Sequence, residues 1–141
     1  MRILALDTGE KRIGVAVSDP LGIIAQGVTV IARRDPETDL NEIKRIVEEY
    51  KADSVVVGMP INMDGTKGKS AEKVNEFVEA LKGRLSIPVY TYDERLSTKE
   101  SEKFLISADV SRKKRKQVID KMAAQLILES YLERLKHNVR I

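Results

Sequence analysis

Ile3-Leu4-Ala5-Leu6-Asp7-Thr8-Gly9-Glu10-Lys11-Arg12-Ile13-Gly14-Val15-Ala16-Val17-Ser18-Asp19 opens the chain and sets its architecture. The first four residues form an apolar run that delivers Asp7 into a Thr-Gly turn, which places a carboxylate at the open end of a buried strand. After the turn at Gly9, Ile13, Val15 and Val17 alternate with small residues, the period of a second strand. Asp19-Pro20-Leu21-Gly22 breaks the chain, and Val28-Thr29-Val30-Ile31 supplies a third strand. Links this short between successive strands predict an antiparallel meander.

Beyond Asp35-Pro36 the pattern changes to α/β. Leu40, Ile43, Val47 and Tyr50 share one helical face, with Asp39 and Glu42 at the spacing of a capping box. Ser54-Val55-Val56-Val57-Gly58 reads as a strand buried on both faces. Ala71, Val74, Phe77, Val78 and Leu81 make a second amphipathic helix, and Val89-Tyr90-Thr91-Tyr92 a fifth strand. Ser97 and Glu100 predict a capped short helix through Leu105, and a last helix runs from Lys113 to Leu135. The expected order is β-β-β-α-β-α-β-α-α: an α/β fold with a mixed five-stranded sheet, three antiparallel strands followed by parallel crossovers, flanked by helices. Without repeats or linkers, residues 1–141 are expected to form a single domain.

Composition restricts the chemistry. No cysteine is present, which removes disulfides and thiolate metal sites and suits a reducing cytoplasm. A single histidine, His137, leaves little material for zinc centres or a Ser-His-Asp triad. Any metal must therefore be held by oxygen, which favours Mg²⁺ or Mn²⁺. A strand begins right after Arg2 and no apolar run reaches membrane length, so neither a signal peptide nor a membrane span is expected.

Three carboxylates stand out. Asp7 ends the first strand; Asp93-Glu94 end the fifth; Asp120 lies in the strongest helical pattern, just before Met122-Ala123-Ala124. Meeting in space, they would form an acidic cluster for divalent cations. Adjacent strand residues point to opposite faces, so only one of Asp93 and Glu94 need face such a site, and Glu94 is the expected one. Asp7 also suits an Asx turn before glycine, and Asp120 an exposed i,i+4 pair with Lys116. Small Ala123 and Ala124, one turn on, would let the helix approach the sheet closely.

Basic residues are the candidate substrate contacts. Arg12 and Arg95 either steady a phosphate or hold the carboxylates through ion pairs. The consecutive run Arg112, Lys113, Lys114, Arg115 and Lys116 is either a solvated helix start or a nucleic-acid contact. Gly65-Thr66-Lys67-Gly68-Lys69-Ser70 lies between a strand and a helix, but a P-loop needs glycine where Met63 stands. Its backbone amides and Lys67 or Lys69 remain candidates for touching substrate phosphates. Asp7-Thr8-Gly9 also matches the opening of actin-like phosphate loops; those enzymes need two such lobes, and this chain supplies one.

The run Asp7 to Asp19, with Val57-Gly58-Met59-Pro60, Met63-Asp64-Gly65, Asp93-Glu94-Arg95-Leu96-Ser97-Thr98 and Asp120-Lys121-Met122-Ala123-Ala124, closely resembles the YqgF/RuvX family over essentially the full chain. The resemblance implies an RNase H-like fold related to the RuvC resolvases, in small cytoplasmic bacterial proteins described as pre-16S rRNA nucleases or Holliday junction resolvases. It also implies an acidic site of Asp7, the Asp93-Glu94 pair and Asp120. The RuvC relative carries a glutamate on its fourth strand, where this chain has apolar residues and Gly58; Glu94 or Asp93 on the fifth strand is expected to replace it. The expectation is thus a Mg²⁺- or Mn²⁺-dependent endonuclease, monomeric or homodimeric, acting on structured nucleic acid. Ribosomal RNA precursor is favoured over a DNA junction, and a non-catalytic ribosome-assembly module is the alternative of a different class.

Overall fold

A computed structural model describes residues 1–62, 64–96 and 112–139, with side chains for all of these except 96, 112–121, 138 and 139. Five strands, β1 (Ile3–Thr8), β2 (Arg12–Ser18), β3 (Ala25–Ala32), β4 (Ser54–Met59) and β5 (Val89–Asp93), form one sheet in the order β3-β2-β1-β4-β5. β1 pairs antiparallel with β2, and β2 with β3; β1–β4 and β4–β5 are parallel. The described helices are α1 (Pro36–Tyr50), α2 (Lys69–Arg84) and α3 (Arg112–Val139), and a 3₁₀ turn spans Glu94–Leu96. The proposed short helix from Ser97 to Leu105 lies outside the described residues.

Two apolar layers sandwich the sheet, which explains why β1 and β4 are apolar without alternation. Leu4, Leu6, Val55 and Val57 face α1 and α2, where they meet Leu40, Ile43, Ile46, Val74, Phe77 and Leu81. Ile3, Ala5 and Val56 face α3, against Ala124, Ile127 and Leu128. On that second face the contacts are small: Ala5, Ala16 and Ala25 from the strands, Ala123 and Ala124 from the helix, all buried. Small side chains let α3 cross β1, β2 and β3 at short range, as expected from Ala123-Ala124.

Two local expectations need correction. β3 extends beyond residues 28–31 at both ends, because its ladder with β2 runs from Arg12↔Ala32 to Ser18↔Ala25 and absorbs a register shift at Val15/Ala16. Helix α1 begins at Pro36, one turn before the Asp39/Glu42 pair, with Asp35 as its N-cap accepting from the Thr38 N–H at 2.9 Å. Proline is pre-set for the first helical position, where its missing N–H costs nothing. Asp39 is instead buried and serves the preceding arginines: it accepts from the Arg34 N–H at 3.0 Å and lies 3.6 Å from Arg33 Nε.

Candidate active site

Parallel pairing brings the C-terminal ends of β1, β4 and β5 to one edge of the sheet. Asp7 follows Leu6, the last β1 residue paired to β4, and Gly58 pairs with Tyr92 of β5. Glu94 is the first residue past β5. Neighbouring strands lie ~4.8 Å apart, so β1 and β5, with β4 between them, are separated by roughly 10 Å. The Asp7 and Glu94 side chains nevertheless make a hydrogen bond.

Gly58 makes that contact possible. A Cβ added there would sit 2.6 Å from Ile127 Cδ1, 2.8 Å from Glu94 Oε1 and 2.9 Å from Glu94 Cγ. Glu94 therefore leans over β4 through the space that any other residue at 58 would fill. The residue that lacks an acid on the fourth strand is the one that lets the fifth strand's acid reach across, and Ile127 of α3 closes the same space from above.

Asp93 is directed elsewhere. It pairs in register with Met59, whose side chain belongs to the α1/α2 layer. Its carboxylate is held by Arg95, with Nη2–Oδ2 at 2.7 Å, Nε–Oδ2 at 3.0 Å and the Arg95 N–H donating to Oδ1 at 2.9 Å. The Arg95 hydrogen bond holds Asp93 below the usual carboxylate range. Of the two readings of Arg95, the ion pair is the one present. Arg12, at the start of β2, also has an interaction partner.

Burial, then the hydrogen bond and charge of Asp7, then the charge of Asp93, push the Glu94 carboxyl up to about 9. Near neutrality Glu94 keeps its proton and donates it to Asp7. Among the described residues no three or more Asp, Glu, His or Cys side chains gather as a metal cluster. An Asp-Glu pair with no sulfur or imidazole nearby fits a hard cation such as Mg²⁺, which binds through one or two carboxylates and completes its shell with water and phosphate. Asp120 lies in α3, seven positions before Ile127; its side chain, and those of Arg112, Lys113, Lys114, Arg115 and Lys116, lie outside the described residues.

The segment between β4 and α2 is a closed turn. Asp64 Oδ1 accepts from the Thr66 N–H at 3.0 Å and its hydroxyl at 2.6 Å, and the Gly65 N–H donates to Asn62 O at 2.8 Å. A carboxylate already occupies the position a phosphate would need, so the amides of Gly65 and Thr66 are not offered to an anion. Lys67 and Lys69 are exposed.

A mixed five-stranded sheet with carboxylates meeting at the ends of β1 and β5 belongs to the RNase H-like resolvase class. Thermus thermophilus RuvC, solved in complex with a Holliday junction substrate, superposes with a TM-score of 0.61 at 15% identity, covering 96% of each chain. The fowlpox virus Holliday junction resolvase gives 0.54 at 16% identity, covering 95% of this chain and 99% of that one. At such identities the likeness is one of fold. The chain belongs to the RuvX family, described as "Holliday junction resolvase", which it matches over residues 1–134. A protein of Halothermothrix orenii named "Putative pre-16S rRNA nuclease" is 56% identical over 132 residues, 94% of each chain. One of the same name from Desulforamulus reducens is 56% identical over 133 residues, 94% of this chain and 97% of that one.

Two features of this end of the molecule escaped the sequence. Gly58 was visible as an interruption of an apolar strand, a mark of close approach, but its partner was not. Arg33 and Lys73, which line a cavity beside Thr8, come from segments with no shared motif.

Proposed function

We propose that this protein is a cytosolic, divalent-metal-dependent endonuclease that hydrolyses phosphodiester bonds in structured nucleic acid, with precursor 16S rRNA as the first substrate. The observation that carries the proposal is the Asp7–Glu94 contact across Gly58 at the open ends of β1 and β5. Asp7, Glu94 and, from α3, Asp120 would hold Mg²⁺ or Mn²⁺; the bound cation would supply a hydroxide at neutral pH and stabilise charge on the leaving oxygen. Asp7 lies on the central strand, and Glu94 carries near neutrality a proton that would have to leave for its carboxylate to bind a cation. Arg95 pairs with Asp93 and so offsets a third negative charge whose field still reaches Glu94.

The family description favours a second substrate, a four-way DNA junction. Phosphate contacts alone do not discriminate RNA from DNA. The deciding experiment is a cleavage assay of precursor rRNA and of a four-way junction, each with Mg²⁺ and Mn²⁺, using wild-type protein and Asp7→Asn. Cleavage lost in the variant supports the nuclease. Equal cleavage by both proteins, or tight binding with no cleavage by either, overturns it in favour of a contaminant or of a non-catalytic assembly module.

A further inference from the structure

Residues 21–32 carry no charge and no proline, in a chain that is 33% charged. They make up most of the loop after β2 and the whole of β3, which is an edge strand of the sheet. Edge strands are ordinarily guarded against pairing with another chain by charge, proline, a bulge or a covering element. Here the guard reaches one end only. Val28 is the bulged residue, left out of the ladder with β2, and beside it the Gly27 N–H donates to Gln125 Oε1 of α3 at 3.2 Å.

The rest of the edge is open. The Arg33 N–H donates to Lys11 O at 2.9 Å, which makes these two a hydrogen-bonded pair of the ladder. Alternation along antiparallel strands then turns the backbone groups of Ile31 and Thr29 toward β2 and those of Ala32 and Val30 outward. Among the described residues, none bonds to these outward groups. Beside them lies a cavity of about 560 Å³, lined by residues 28–32 and, from α1, by Ile46 and Tyr50 among others. The charges on its α1 side are largely paired with one another, Arg45 with Glu42 and Glu49, and Asp39 with Arg33. The cavity leaves room for the side chains of an added strand.

The loop that leads into this edge is apolar and fixed. Leu21, Ile23 and Ile24 are 77%, 54% and 66% exposed. Gly22 takes a φ of +70°, Asp19 Oδ1 accepts from the Ile23 and Ile24 N–H groups at 2.6 and 2.8 Å, and the Asp19 N–H donates to Ile24 O at 3.0 Å. These bonds hold the loop backbone in place with its aliphatic chains in water, and neighbouring exposed aliphatics beside an open edge mark an interaction surface.

We infer that β3 and this loop dock a second copy of the chain, edge to edge and antiparallel, about a two-fold axis through Val30. Such a contact must be self-complementary, and this edge is. With Val30 opposite the partner's Val30, each donates to and accepts from the other, and Ala32 comes opposite the partner's Val28. Ile24 falls level with the partner's Pro36, an exposed apolar residue at the start of α1. Arg33 and Arg34 fall level with the partner's Gly27 and Gln26, so no like charges face each other. A foreign strand would have to supply these matches separately; a second copy carries all of them. One edge strand and one loop make a small interface, so the dimer is weak and concentration-dependent. The inference is independent of the nuclease reading.

The test is sedimentation velocity on the full-length protein from about 5 to 500 µM, with amide hydrogen exchange at both ends of that range. Monomer should convert to dimer as concentration rises. The Val30 and Ala32 amides should exchange at least about tenfold more slowly in the concentrated sample, while Thr29 and Ile31, bonded to β2, stay protected in both. Ile24→Lys alters only an exposed side chain, since the loop bonds are made by the backbone, and should raise the dimer dissociation constant at least about tenfold. Val30→Pro removes an outward N–H, a change that edge strands accommodate, and should abolish the dimer. Should that variant not fold, Ile24→Lys and the exchange pattern decide. Wild-type protein that stays monomeric at the highest concentration overturns the inference and leaves the edge to a strand of another protein. A dimer whose Val30 and Ala32 amides exchange as in the monomer overturns it too, as does one that Ile24→Lys leaves equally tight.

Discussion

Oε1 of Glu94 lies 2.8 Å from the point where a Cβ on Gly58 would sit, so the two residues occupy one space between them. Gly58→Ala must displace both Glu94 and Ile127, whose Cδ1 is closer still at 2.6 Å. Overpacking of this kind costs about 1 to 3 kcal/mol. Urea denaturation should show that loss, and cleavage should fall with it. Combining Gly58→Ala with Ile127→Val should restore part of the stability and little of the activity, because the Glu94 contact at 2.9 Å remains.

Asp7→Asn keeps the size of the side chain and removes its charge at a half-buried strand end. The circular dichroism spectrum should match wild type, and cleavage in Mg²⁺ should drop by at least about 10²-fold, the scale of losing one charge-stabilising group. Wild-type turnover by the purified variant would exclude Asp7 from the chemistry.

The raised Glu94 pKa sets a pH dependence of stability. Below its ordinary 4.5 the carboxyl is protonated in both folded and unfolded chains, and its favourable contribution is fully present. Between 4.5 and about 9 the unfolded chain releases a proton that the folded chain retains, so stability of the metal-free protein should fall as pH rises through that window. Each unit of separation is worth about 1.4 kcal/mol. Glu94→Gln should flatten the curve, and saturating Mg²⁺ should oppose the decline. A metal-free melting temperature that rises from pH 5 to pH 8 relative to Glu94→Gln would contradict this.

Asp35, not Asp39, caps α1 by its contact with the Thr38 N–H. Asp35→Ala should therefore lower the melting temperature by more than Glu42→Ala, which loses only surface contacts with Arg45. Asp39→Ala should be the most damaging of the three, since it leaves the Arg34 amide and Arg33 without their buried acceptor. Differential scanning calorimetry orders all three.

The sheet and its helices were legible because their hydrophobic patterns are local. The apolar runs of β1 and β4 and the α2 face of Ala71, Val74, Phe77, Val78 and Leu81 appear as written, all five of the latter buried. The ends of β3 were not legible, since Ala25-Gln26-Gly27 has low strand propensity and is held by pairing with β2. The start of α1 was misplaced because two acidic signals compete, and Asp35-Pro36 is the stronger. Asp7 could be located from a carboxylate at the end of an apolar run. The Glu94 contact required knowing that β4 lies between β1 and β5, and the Arg33–Lys73 cavity required knowing that the β3–α1 junction and α2 share a wall with Thr8. Both are facts of topology that no single segment carries.

The place of β1 at the centre of the sheet has a further consequence. Backbone amides of Leu4, Ala5 and Leu6, with neighbours on both sides and a covered layer above and below, belong to the part of the molecule that opens only on global unfolding. Glu94 stands just past an edge strand, in a single 3₁₀ turn. The carboxylate pair thus joins the most deeply protected strand of the sheet to a turn at its margin, so the hydrogen bond between them ties the position of that turn to the centre of the fold.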